Sequence, residues 1–152
     1  MNSNEEMLEV KVRGVYVVKV REGFGAPTIL LEDGKGRFMP IYIGHPEALS
    51  INMVLNQETM PRPMTHDLII SILDRLETEV ENVFIDDKME NTYYARLVIN
   101  RDGYSMDIDA RPSDCIALAL RAEVPIYVKD DIFESAAISK DSLDDIESLD
   151  TF

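Results

Sequence analysis

The stretch Asp109-Ala110-Arg111-Pro112-Ser113-Asp114-Cys115-Ile116-Ala117-Leu118-Ala119-Leu120 decides the fold. Its second half, from Cys115 to Leu120, is apolar on nearly every side of a helix, which predicts a central, buried helix. Proline fits the first helical turn, so this helix is expected to start at Pro112 or Ser113 and to end near Glu123. Upstream, residues 104–110 read as a strand, with Asp107 and Asp109 on one face at a spacing of two. A strand, a polar corner and a buried helix in that order imply a sheet with helices packed on it.

Outward from there, Leu8, Val10 and Val12 alternate with charged residues as in a half-buried strand. Gly14 marks a bulge, and the strand continues over residues 15–20. Residues 22–27 read as a turn, 28–31 as a short strand, and Asp33-Gly34-Lys35-Gly36 as a hairpin turn. The returning strand, 37–43, carries Pro40, which places it at an edge or a bulge. Pro46 opens a helix that runs to about Asn56. Pro61 and Pro63 make the next connection stiff. Thr65 is the expected N-cap of a second helix, on which Leu68, Ile69, Ile72, Leu73 and Leu76 form one apolar stripe. Strands follow at about 80–87, 92–100 and 104–110, with Arg101-Asp102-Gly103 joining the last two. Residues 125–128 are a short strand and 130–135 a turn or short helix. The fold class is α+β: a mixed, mostly antiparallel sheet packed with three main helices. Residues 37–56 and 104–123 both read strand, polar turn with proline, helix. An internal duplication explains that, and so does the commonness of the unit.

A chain of 152 residues fits one domain with a full core. The expected division is a flexible N-terminus over 1–6, the domain over 7–135 and an acidic C-terminal tail over 136–152. From Ser139 onward five acidic residues face Lys140 alone, so the tail should be mobile or a weak helix. No apolar run approaches the ~20 residues that span a bilayer. The N-terminus also lacks the basic start and apolar stretch of a signal peptide. Cys115 is the only cysteine, which excludes an intrachain disulfide and a zinc knuckle and points to the cytoplasm. The net charge of −14 argues against a general coat for DNA or RNA, which needs a basic face. It leaves room for an enzyme that meets phosphate at one local site.

Helix starts fall at Gly44-His45-Pro46-Glu47, Arg62-Pro63-Met64-Thr65-His66-Asp67 and Asp109-Ala110-Arg111-Pro112-Ser113-Asp114. Each offers unpaired N–H groups and the positive end of a helix dipole, which suit phosphate. Arg62 and Arg111 add planar forks for the same anion. The plainer reading is capping: Thr65, Ser113 and Asp114 as caps, Asp67 on the dipole, and Arg111 paired with Asp109 or Asp114. His66 can serve as general base, general acid or metal ligand, and it can equally be structural. Glu47, Asp67, Asp109 and Asp114 offer oxygen ligands to Mg²⁺ or Mn²⁺. His45-Pro46-Glu47 with Pro112-Ser113-Asp114-Cys115 faintly resembles a zinc deaminase signature, but Cys115 has no partner cysteine to complete it. No phosphate-binding glycine loop and no nucleophile elbow is present, and no organic cofactor is expected.

The two signature stretches, 62–68 and 109–121, resemble those of the bifunctional nuclease domain family. So do Pro40-Ile41-Tyr42-Ile43-Gly44 with Glu47-Ala48, the strand Tyr93-Tyr94-Ala95-Arg96-Leu97, and Pro125-Ile126-Tyr127-Val128. The resemblance runs from about Leu8 to Phe133. It implies an α/β fold of mixed sheet plus helices, a homodimer and nuclease activity on DNA and RNA. Cys115 stands where a small residue such as alanine is expected, and His45-Pro46 is less typical of the family.

Two functions follow. In a nuclease, His66, Asp67, Arg62 and Arg111 form the catalytic group, and Thr65, Arg96 and Ser113 hold substrate. Glu47, Asp109 and Asp114 bind a divalent cation that activates water and offsets charge at phosphorus. Single strands or ends are the expected substrates, with no membrane partner. In the alternative, the chain is a non-catalytic homodimeric module for a small anionic ligand or a protein partner. His66→Ala is expected to abolish activity with little change in melting temperature if the first holds. If the second holds, it should cost about 1–3 kcal/mol of stability.

Overall fold

Alternating apolar residues build the strands, and glycines at positive φ turn them. The computed structural model describes residues 6–18, 25–139, 142–143 and 146–148. Strand β1 (Met7–Val18) pairs antiparallel with β2 (Ala26–Glu32), and β2 with β3 (Phe38–Tyr42). The irregularity expected at Gly14 falls between Val12 and Gly14. Of the turn expected over 22–27, residues 22–24 lie outside the described residues, and residues 26–27 already belong to β2. Helix α1 (His45–Leu55), helix α2 (Thr65–Arg75) and a second meander follow: β4 (Glu79–Met89), β5 (Thr92–Arg101) and β6 (Tyr104–Ala110). Asp102 and Gly103, with φ of 52° and 85°, give the two-residue hairpin its primed turn, whose twist matches that of the strands. Helix α3 (Pro112–Ala122), strand β7 (Ile126–Lys129) and the short helix α4 (Asp130–Ala136) complete the main body.

The sheet order is β3-β2-β1-β7-β4-β5-β6. Only β4 and β7 run parallel among the described pairs, so the sheet is mixed and mostly antiparallel as expected. Pro40 sits on β3, at one end of that order, where its missing N–H costs little. In the acidic tail, β8 (Ile146–Ser148) pairs with Tyr16, Val17 and Val18 of β1. These residues are a strand, not the mobile segment or weak helix expected there. The N-terminal residues 1–5 lie outside the described residues.

Helix α3 is the central helix that its composition requires. Cys115, Ile116, Ala117, Leu118 and Ala119 are all buried, against Val83 and Ile85 of β4 and Ala95, Leu97 and Ile99 of β5 in one core. Helix α1 packs beside α3 through Ala48 and Ile51, and α2 packs on α3. The stripe on α2 behaves differently from expectation. Ile69 and Leu73 pack on the core, but Leu68, Ile72 and Leu76 are 53%, 48% and 50% exposed. The two meanders each lead into a helix with proline in its first turn, α1 and α3. This likeness is of local geometry, and no common descent is drawn from it. No helix among the described residues is long and apolar enough to cross a membrane.

Candidate active site

Helices α1, α2 and α3 begin at one place. Their N-cap residues, Gly44, Met64 and Arg111, are extended, and none supplies a side-chain cap. Thr65 is the first residue of α2 and not its cap. At that end the Asp67 carboxylate accepts the Met64 N–H at 2.9 Å. Glu47 of α1, Met64, Thr65 and His66 at the start of α2, and Arg111 and Asp114 at the start of α3 line a common cavity of about 190 Å³ with Pro46 and Ser50. The positive ends of the helix dipoles therefore converge on it.

His66 is buried and held at both ring nitrogens. Nδ1 lies 2.6 Å from Ser50 Oγ, and Nε2 lies 2.9 Å from Asp114 Oδ1. Burial opposes ionisation of Asp114, but the Arg111 guanidinium and the His66 ring outweigh it and hold the carboxyl below its ordinary value. An ionised Asp114 can only accept, so Nε2 carries the ring proton. In the neutral ring Nδ1 then accepts the Ser50 hydroxyl. The result is a chain from Ser50 through His66 to Asp114.

Arg111 closes the cavity from the other side. Its Nε donates to Asp114 Oδ2 at 2.9 Å, its Nη2 to Oδ1 at 3.2 Å and its Nη1 to Glu47 Oε1 at 3.1 Å. The plain reading of Arg111 as partner of Asp114 holds, and Glu47 joins them. The second Glu47 oxygen, Oε2, is buried without a hydrogen-bond partner among the described residues. Gly44 leaves room for it, since a Cβ there would come within 2.8 Å of Oε2. Beyond Arg111 a second cavity of about 430 Å³ opens, lined by Tyr42, Asn91, Tyr93 and Ser113 among others.

The chain thus brings Glu47, Thr65, His66, Arg111 and Asp114 together and leaves the other candidate residues elsewhere. Asp67 donates no group to the cavity. Its Oδ1 accepts from Arg121 Nε at 2.8 Å, and that bond and the Met64 N–H hold its carboxyl below the ordinary range. Arg62 is exposed and lines a separate depression with Asp67 and Arg121. Arg96 sits between Ala95 and Leu97, both core residues, and so points to the opposite face of the sheet, where it pairs with Asp86 and Asp107. Asp109 is opposite Arg96 in the ladder and shares that face. Ser113 is buried beside the larger cavity. Among the described residues no group of three or more His, Cys, Asp or Glu side chains is placed to hold a metal ion.

Two residues of the site lie outside the sequence expectation. Ser50 escaped it because a serine between Leu49 and Ile51 on an apolar helix carries no motif. The available signal was its spacing of three from Glu47, which puts both on one helical face. Arg121 was read only as the end of a signature. Its side chain, 9% exposed, also donates to Ala117 O at 3.0 Å and to Ser50 O at 3.4 Å. It ties all three helices. The lone cysteine is buried, and burial first, then Asp114 and Asp109, push the Cys115 thiol up to about 12.

By fold and by site this is an α+β domain whose three main helices start around one polar cavity. Residues 28–141 match the profile of the bifunctional nuclease domain, and the chain belongs to that family. It is 38% identical over 133 residues to an uncharacterized protein of Mycobacterium tuberculosis, covering 87% of this chain and 77% of that protein. It is 28% identical over 106 residues to Bifunctional nuclease 2 of Arabidopsis thaliana, covering 68% of this chain and 32% of that protein. Bifunctional nuclease 1 of Oryza sativa subsp. japonica is 28% identical over 117 residues, 74% of this chain and 35% of that protein. The match spans about a third of each of these plant proteins.

Proposed function

We propose that this protein is a nuclease that hydrolyses phosphodiester bonds of DNA, RNA or both at the cavity where α1, α2 and α3 begin. The observation that carries this reading is the convergence of the helix starts on His66 and Arg111. Uncapped N–H groups, dipole ends and a guanidinium make a local anion site in a chain of net charge −14. The surrounding charge then disfavours long basic-face contacts, and binding is concentrated at the reacting phosphate. Arg111 and the α3 N-terminus orient that phosphate, and His66 handles the proton. The proposal includes a cytoplasmic location, in keeping with the single buried thiol.

A divalent cation fits one feature of the cavity, the unpartnered Oε2 of Glu47. Mg²⁺ and Mn²⁺ are commonly held by one or two carboxylates together with substrate phosphate oxygens. Bound there, the ion would supply neutralising charge. The direct test is cleavage of single-stranded DNA and RNA by purified protein, with Mg²⁺, with Mn²⁺ and with chelator, beside Arg111→Ala. Cleavage that needs metal, falls steeply with salt and drops about 100-fold in the variant is the expected result. Absence of cleavage in every arm would leave a non-catalytic homodimeric module that binds a small anionic ligand or a protein partner.

The cavity lined by Tyr42 and Tyr93 supports a preference for single strands. It meets the smaller cavity at Arg111, and Tyr42 is exposed at its mouth. A base next to the bound phosphate can stack there, whereas a base inside a duplex cannot. Tyr42→Ala is expected to raise KM for single strands about tenfold, with kcat little changed. A KM that does not move would remove the stacking contact.

The homodimer rests on α2. Its exposed Leu68 and Ile72, with Leu76 at its C-cap, recur every fourth residue, and the same stripe on a second copy matches it across a twofold axis. Sedimentation should find a dimer at micromolar concentration and a monomer for Ile72→Glu. A wild-type monomer would remove the dimer from the proposal.

A further inference from the structure

Ser50 is 3% exposed and lines the cavity, and both nitrogens of His66 are engaged, one by Ser50 Oγ and the other by Asp114. The ring cannot take a proton from water while Nε2 donates to Asp114 and Nδ1 accepts from Ser50. Ser50 and Asp114, the two partners of the ring, both line the cavity and are the routes for a proton to or from it. Ser50 Oγ, His66 and Asp114 lie at 2.6 Å and 2.9 Å in series. That is the order of a nucleophile, its base and the carboxylate that orients the base. Convergent sites of this kind are recognised by geometry and roles; here the ring is reversed, with Nδ1 facing the serine and Nε2 the carboxylate.

We propose that Ser50 is a nucleophile that forms a covalent phosphoserine intermediate. The inference rests on the reading of this cavity as a phosphodiesterase site. Three further observations point the same way. Ser50 lines the cavity, whose 190 Å³ equals the share of roughly six water molecules in the liquid and has room for a phosphate group. Ser50 is set in place from behind by Arg121, which donates to its carbonyl oxygen at 3.4 Å. Arg111 faces the same cavity with five donors, of which the carboxylates use only part.

The step balances without a redox partner. Ser50 Oγ attacks phosphorus, and its proton passes to His66 Nδ1 as the Oγ–P bond forms. The imidazolium lies against the Asp114 carboxylate. The P–O bond to the leaving nucleoside oxygen breaks, and that oxygen takes the proton from Nδ1. Water then attacks the phosphoserine and gives a proton to Nδ1. The Oγ–P bond breaks and Ser50 Oγ recovers the proton. One water is consumed, and one phosphomonoester and one alcohol are produced.

The test combines two readouts on the full chain. A fluorophosphonate probe reports nucleophilicity without any nucleic acid, because Oγ displaces fluoride and leaves a stable adduct that peptide mass spectrometry locates. Cleavage of a single-stranded oligonucleotide reports the nuclease. The expected result is an adduct on Ser50, absent in Ser50→Ala and formed at least about 100-fold more slowly in His66→Gln. Cleavage should fall about 10³-fold or more in Ser50→Ala. An adduct without cleavage by the wild type keeps the nucleophile and removes the nuclease. Cleavage that survives in Ser50→Ala, with no adduct in the wild type, removes the nucleophile and keeps the nuclease. Neither adduct nor cleavage removes both.

Discussion

Replacing His66 with glutamine is expected to lower kcat for strand cleavage by about 10²–10⁴-fold, the usual contribution of a positioned acid–base group. Glutamine is chosen over alanine for a structural reason. His66 is only 7% exposed, and it is the hydrogen-bond partner of Ser50 and Asp114. Alanine would leave both facing a gap, at about 1–3 kcal/mol for each group not reached by water. The simple separation of roles expected from sequence, activity lost with melting temperature unchanged, therefore does not apply to His66→Ala. Glutamine keeps a polar atom near the Nε2 position and so preserves a contact with Asp114, while it cannot carry a proton through the reaction. A folded His66→Gln protein with wild-type kcat would exclude the histidine from the chemistry.

The fold was legible because its main signals are local. The apolar run 115–120 cannot be placed at a surface, and in the structure it lies across β4 and β5. Pro40 at an edge, the irregularity at Gly14 and the tight turn at Asp102-Gly103 follow from backbone chemistry alone. The α2 stripe misled in part. Periodicity shows that one face is apolar, but not whether this chain or another copy covers it. The tail strand Ile146–Ser148 was hidden for a related reason. Its pairing with β1 is a long-range backbone contact, and composition carries no trace of that.

The site was legible as a set of corners and only partly as a set of contacts. His66 and Asp114 are 48 positions apart, yet they meet at 2.9 Å. Resemblance named the segments, and helix packing joined them. Adjacent residues then part company. On the first turn of α2, Thr65 and His66 face the cavity while Asp67 turns to Arg121, because successive helical positions differ by about 100°. Strand alternation does the same to Asp109. Its neighbours Ile108 and Ala110 lie opposite the core residues Leu97 and Ala95, so Asp109 falls on the other face of the sheet. Carboxylate type and proximity in sequence could not tell Asp114 from Asp109 or Asp67. Ser50 lay outside any motif, and only the packing of α1 and α2 on α3, which brings Ser50 to His66, reveals it.

Asp67→Ala should act on stability and not on chemistry, the reverse of His66→Gln. The Asp67 carboxylate is the only acid paired with Arg121 among the described contacts. The arginine is 9% exposed and the aspartate 43%. Removing the acid leaves a buried guanidinium with carbonyl partners only. Breaking a fully buried pair in this way costs about 3–5 kcal/mol. Solvent screens the aspartate side, so about 2 kcal/mol is expected, a fall of roughly 4–8 °C in Tm. The cleavage rate per folded molecule should stay close to wild type, because Asp67 does not line the cavity. The sign of the pH dependence follows from the depressed carboxyl. Arg121 first, then the Met64 N–H, hold Asp67 below its usual value in the folded chain. Its contribution is therefore complete above the unfolded value of about 4 and is lost as pH falls through the lower folded value. Urea titrations of wild type and variant should differ by a constant amount near neutrality and converge in acid. A gap that persists undiminished in acid would show that the loss comes from packing around Arg121 and not from its charge partner.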